Sequence, residues 1–155
     1  MANLINTQGP VQDTELTTVT LEQWQEEKAS FAGQSLELTV SSDQTADLFG
    51  EDAANFARIS IDFPKFADGR GYSAARLLRE KYKYTGELRA VGDVLIDQVF
   101  FMKRCGFDTY ALREDQIVED AIAAFSTFTN PYQNDVHDQR PLFRRRLSVA
   151  STPRK

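Results

Sequence analysis

Residues 58–112 read RISIDFPKFADGRGYSAARLLREKYKYTGELRAVGDVLIDQVFFMKRCGFDTYAL. Ile59, Ile61 and Phe63 alternate with polar residues, which predicts a strand that Pro64 stops. Ala74, Leu77, Leu78 and Tyr82 follow helical spacing, with Arg76 and Glu80 paired at i,i+4 on the outer face and Gly86 as the closing glycine. Leu88, Ala90 and Val91 predict the next strand, ended by Gly92. Asp93 reads as the N-cap of a helix over 94–104 that Gly106 closes, and 107–112 reads as another strand. Strand, loop, helix, strand, loop, helix, strand is the pattern of βα units around a mainly parallel sheet.

The same reading extends in both directions. A strand near Thr17 precedes Thr20-Leu21-Glu22-Gln23, which has the form of a capping box. Leu21, Trp24, Lys28 and Phe31 form a helical stripe that Gly33 ends, and Leu36, Leu38 and Val40 alternate as a strand. Residues 44–57 read as a short helix with Leu48, Ala53 and Phe56 inward. A helix over about 116–128 follows the 107–112 strand, and a further strand is placed near 142–147. The fold class is α/β, a single domain of four to five βα units with a mainly parallel sheet. At 155 residues the chain is too short for an eight-stranded barrel, so the sheet is open or a partial (βα) barrel.

Charge divides the chain. The net charge is −5, yet residues 140–155 carry six cations and no acid, which leaves −11 on residues 1–139. We read 1–139 as the single α/β domain and 140–155 as a basic C-terminal tail. The acidic body argues against nucleic acid as a partner, because phosphates repel it. Cys105 is the one cysteine and His137 the one histidine. One chain therefore lacks the ligands for an iron–sulfur cluster or a His/Cys zinc site, and neither a metal nor another cofactor is expected. No stretch approaches the ~20 apolar residues of a membrane span. With no basic region followed by an apolar run at the N-terminus, a cytoplasmic protein is expected. The 94–104 helix is apolar around most of its circumference, which predicts cover from a second subunit or from the C-terminal segment. Homo-oligomer and monomer are left equally open.

In α/β proteins ligands gather at the carboxyl ends of parallel strands. The loop after the 58–63 strand offers Asp62, Lys65, Asp68, Arg70 and Tyr72, and the loop after the 88–91 strand offers Asp93. Lys65, Arg70 and a helix start near Ser73 suit a small oxyanion, with Tyr72 a candidate proton donor. Arg89 interrupts an apolar strand and needs a buried partner, for which Asp62 on the neighbouring strand is the candidate. Gly69-Arg70-Gly71-Tyr72-Ser73-Ala74 also fits the alanine form of the dinucleotide fingerprint, with Asp93 placed for a ribose. Asp93 and Asp97 share a helix face, but a metal there is a weaker reading than helix-dipole stabilisation. Cys105, at a helix C-terminus, reads as a packed thiol. These residues locate a site, and none is assigned as catalytic.

The run Asp62–Ser73, with Ala75–Arg79, Gly86–Ala90, Gly92–Leu95, Phe101-Met102 and Arg104–Asp108, closely resembles a bacterial family of unknown function. Its members are often labelled as oxidoreductases of sulfite reduction, and their genes commonly lie beside those of assimilatory sulfate and sulfite reduction. The resemblance is specific over residues 58–112. It implies a pathway rather than an established reaction, and it names sulfite reductase or its electron donor as the expected partner. The function expected first is an accessory protein of assimilatory sulfite reduction, aiding assembly of the reductase or electron delivery to it. An oxyanion-binding small enzyme or sensor is the alternative, and an NAD(P)H-dependent reductase the second alternative.

Overall fold

In the computed structural model, which describes residues 3–65 and 69–125, alternation has become one sheet with a layer of helices. In chain order the elements are β1 (Asn3–Ile5), β2 (Thr17–Thr20), α1 (Leu21–Glu27), β3 (Leu36–Ser41), β4 (Arg58–Phe63), α2 (Arg70–Glu80), β5 (Glu87–Gly92), α3 (Ile96–Cys105), β6 (Thr109–Leu112) and α4 (Val118–Ala124). The sheet order is β1-β6-β5-β4-β3-β2. Strands β2 to β6 run parallel, and β1 pairs antiparallel with β6.

That order is monotonic from β2 to β6. Right-handed crossovers between successive neighbours all pass over the same face, so the described helices form one layer and, among the described residues, the opposite face carries none. Burial follows from this. Leu38, Ile59, Ile61, Leu88, Ala90 and Tyr110 point into the helix layer and are inaccessible to solvent. Their neighbours Glu37, Arg58, Ser60, Glu87, Arg89 and Thr109 stand on the helix-free face. Gly71 lets α2 lie close on β4: a Cβ there would sit 2.6 Å from Phe63 Cζ.

The capping box at Thr20 and Gln23 is present, each side chain bonding the other's backbone N–H. Arg76 and Glu80 pair on α2 at 3.3 Å, and Gly106 ends α3 in the left-handed region at φ 113.

Three local expectations are corrected. Residues 44–57 form two 3₁₀ segments, Ala46–Leu48 and Gly50–Asn55, in place of an α-helix. The tighter turn rotates the inward face, so Phe49 is buried while Leu48 is exposed. Asp93 does not cap α3; the N-cap position is Leu95, which offers no side-chain bond. Gly86 lies beyond the end of α2, whose C-cap is Lys81. The C-terminal segment expected as one cover for α3 lies outside the described residues; among them Val99, Met102 and Cys105 are buried and Phe101 is exposed. The 140–155 tail, His137, Phe66, Asp68 and the strand placed near 142–147 lie outside the described residues.

Candidate functional site

Every parallel strand delivers an acid at its carboxyl end. Glu22 follows β2 in the first turn of α1, Asp43 follows β3, Asp62 is the penultimate residue of β4, Asp93 follows β5 and Glu114 follows β6. Asp97 and Asp115 add to the same rim. Its cations among the described residues are Lys65, Arg70 and Arg113. Arg113 is spoken for: it bonds Asp93 at 2.7 Å and Asp115 through two contacts at 2.6 Å. Arg113 holds the Asp115 carboxyl down at about 2, so that acid stays ionised throughout the neutral range.

Asp62, Lys65, Arg70, Tyr72 and Asp93 are thus carried on the loops and helix starts of one edge. Asp62 is half-buried at the end of the central strand, and burial raises its carboxyl above the ordinary range. Lys65 is exposed. Arg70 opens α2 and, with Ser42, Asp43 and Ser73, lines a cavity of about 170 Å³. Among the described residues the helix start carries no side-chain cap, and its first turn holds no acid. Tyr72 lies between Phe63 and Phe101, with ring centroids 5.1 and 4.9 Å away. Desolvation, with the Cys105 sulfur adding to it, pushes the phenol up to about 12. A phenol so held donates a proton poorly near neutrality, and its ring packs α2 onto α3 and β4.

Arg89 is not part of this edge, and its expected pairing with Asp62 is not formed. Asp62 aligns with Val91 across β4 and β5, while Arg89 aligns with Ser60. Arg89 belongs instead to a charged network on the helix-free face. Its Nη1 donates to Asp13 Oδ1 at 2.9 Å and its Nη2 to Glu87 at 3.1 Å. Arg58, buried below, donates to Asp13 Oδ1 at 3.0 Å, to Glu37 at 2.8 Å and to the Thr14 carbonyl at 3.0 Å. Glu37 also accepts from Ser60, and Glu87 from Thr109 at 2.6 Å. Burial alone would lower the Arg58 guanidinium, but Glu37, Glu87 and Asp13 outweigh it and raise it. Above this network a groove of about 710 Å³ opens.

Arg89 was legible as a buried cation needing a partner; Arg58, Glu37, Asp13 and Glu87 were not singled out. The signal was present in the register. Glu37, Arg58 and Glu87 form one cross-strand row, and Thr39, Ser60, Arg89 and Thr109 form the next. Three neighbouring strands with polar residues on one phase imply a second face that is not core.

Two features bear on a dinucleotide. Gly71 is filled against Phe63 and Ile61, and the monotonic strand order has no switch point at which crossovers change faces, the usual seat of such a ligand. Among the described residues, no group of three or more His, Cys, Asp or Glu side chains is placed to hold a metal ion. No described helix is long and apolar enough to cross a membrane.

Residues 37–143, more than half of the chain, match the family described as "Bacterial protein of unknown function (DUF934)". The chain belongs to this family. The matched span holds all but the first residue of β3, the whole of β4 to β6, the rim after β2 and four of the five charged residues of the network. No match was found among the curated proteins or the solved structures.

Proposed function

We propose that this chain is an accessory protein of assimilatory sulfite reduction that docks through the acidic carboxyl rim of its sheet onto a basic face of sulfite reductase or of its electron donor. The pathway comes from the family resemblance. The observation that carries the docking mode is the acid at the end of each of the five parallel strands, from Glu22 to Glu114. Such an array steers a partner of opposite charge and fixes its orientation, more than it adds raw affinity.

The test has two arms. Binding of the full chain to the purified reductase and to its donor is measured between about 50 and about 300 mM salt, where screening lengths shorten to within the rim. The reading expects affinity to fall with salt, and to be lost in the triple variant Glu22→Lys, Asp43→Lys, Glu114→Lys. Salt-indifferent binding, or none to either protein, overturns it. In the second arm a deletion strain grows on sulfide but not on sulfite, and wild type rescues it while the triple variant does not. Normal growth on both sulfur sources counts against the pathway.

A second reading is favoured by the start of α2. The acid-free first turn of α2, with Arg70 and Ser73 beside a cavity that Asp43 also lines, suits a small oxyanion. Sulfite, sulfate and phosphate are then expected to raise the melting temperature of wild type and not of Arg70→Ala. A panel that moves neither protein removes this reading and leaves the docking proposal untouched.

A further inference from the structure

The groove on the helix-free face is a second feature, distinct from the rim. Its polar side is built by Asp13, Glu37, Thr39, Ser60 and Arg89, and its apolar side by Val91, Ala111, Leu4 and Val11. At about 710 Å³ it falls within the roughly 300–1,000 Å³ span of small-molecule sites. The network beneath it contains three carboxylates, Asp13, Glu37 and Glu87, against two guanidinium groups, Arg58 and Arg89. One negative charge is left over. Its place is also defined. Both arginines reach Asp13 through the same oxygen, Oδ1, so Oδ2 keeps its acceptor capacity. The Asp13 side chain is 61% exposed, whereas Arg58 and Arg89 are 2% and 8% exposed. The cations are thus sealed by their partners and the groove presents a carboxylate.

We propose that this groove binds a small amphipathic amine, its ammonium group on Asp13 Oδ2 and its apolar part along Val91, Ala111 and Leu4. A charge-assisted hydrogen bond supplies direction, and contact with the apolar wall supplies the rest of the affinity. An anionic ligand is disfavoured, since both guanidinium groups are buried and paired with carboxylates, with Arg58 Nε enclosed out of reach, and the residual charge repels it. The hydroxyl of Thr39 at the polar side offers a further partner to the ammonium group.

The test uses the full chain and three probes of equal length: n-hexylamine, n-hexanol and hexanoate. Binding is followed by calorimetry and by amide chemical-shift changes in β5 and β6. The amine is expected to bind and to shift residues around Val91 and Ala111, with the alcohol weaker by about tenfold, the ratio one charge-assisted bond supplies, and hexanoate silent. Asp13→Asn, which keeps an oxygen for Arg58 and Arg89, is expected to weaken the amine by about tenfold while leaving hexanol unchanged. Because that variant touches the network, Ala111→Phe provides an independent arm: it fills the apolar side, leaves the charges alone and is expected to abolish binding of both amine and alcohol. Equal binding of amine and hexanoate, amine binding that survives both variants, or no amine binding to wild type overturns the proposal.

Discussion

Gly92 is the residue that makes room for Asp62. At the end of β5 it holds φ +93, and a side chain there would run into Asp62 Oδ1 and come within 2.6 Å of the Phe63 carbonyl oxygen. The central carboxylate of the rim therefore depends on a missing Cβ one strand away. Gly92→Ala must strain the backbone and move the Asp62 carboxylate. The expected cost is about 1–3 kcal/mol in urea unfolding. A variant as stable as wild type would show that the turn after β5 relaxes freely.

Asp62 gives a pH-dependent expectation of definite sign. Burial raises its carboxyl, and no hydrogen bond or ion pair to it is formed among the described residues. A carboxylate raised in the folded state costs stability above its folded value, and the cost vanishes below the unfolded value of about 3.9. Asp62→Asn is expected to melt higher than wild type at pH 7 and to converge with it near pH 3. If the variant melts lower at pH 7, the carboxylate is held by a favourable partner.

Arg58 is expected to be the costliest single charge to remove. Arg58→Met leaves Glu37 without its guanidinium partner and Asp13 with Arg89 alone, a loss of about 3–5 kcal/mol. Replacing Glu37 with Leu as well is expected to recover part of that loss, because the stranded carboxylate goes with it. Additive losses in the double-mutant cycle would mean that the two residues act separately.

Much of the sheet was legible because each parallel strand states its own phase. Ile59, Ile61 and Phe63 in β4, like Leu36, Leu38 and Val40 in β3, alternate cleanly, and only one of the two faces is apolar. The carboxyl-edge residues were legible for the same reason, since strand ends fix loops. The partners of Arg89 were not. Asp13 is 76 residues away along the chain, in a segment without periodicity, and pairing across such a distance follows from topology rather than from local pattern. The 44–57 stretch misled because a 3₁₀ turn and an α turn share most inward positions over a few residues and part at Leu48 and Phe49.

Arg79 supports the lower edge of the sheet in a way a lysine does not reproduce. Its guanidinium donates to the carbonyls of Tyr84, Gly86 and Gly106 at 2.8–3.0 Å and pairs with Asp108 at 2.5 Å. Asp108 in turn accepts from the Leu88 amide at 3.0 Å. Arg79→Lys keeps the charge and loses the fork, so several carbonyls go unpaired. About 2–3 kcal/mol of stability is expected to go with them. A near-neutral substitution would mean that water replaces those bonds.

Strand β4 is paired along its length on both sides, whereas β5 and β6 share two register positions, Arg89 with Thr109 and Ala90 with Tyr110. Opening is easiest where a sheet has least pairing to lose. The pair β6–β1 can therefore part from β5 as a unit while β3, β4 and β5 stay zipped, and amides of Thr109–Leu112 should exchange with solvent well before those of Ile59–Ile61. The groove straddles that seam, with Leu4 and Ala111 on one bank and Glu37, Thr39 and Ser60 on the other. Its width is thus set by the loosest joint of the sheet, and anything that bridges the two banks will register as slowed exchange in β6.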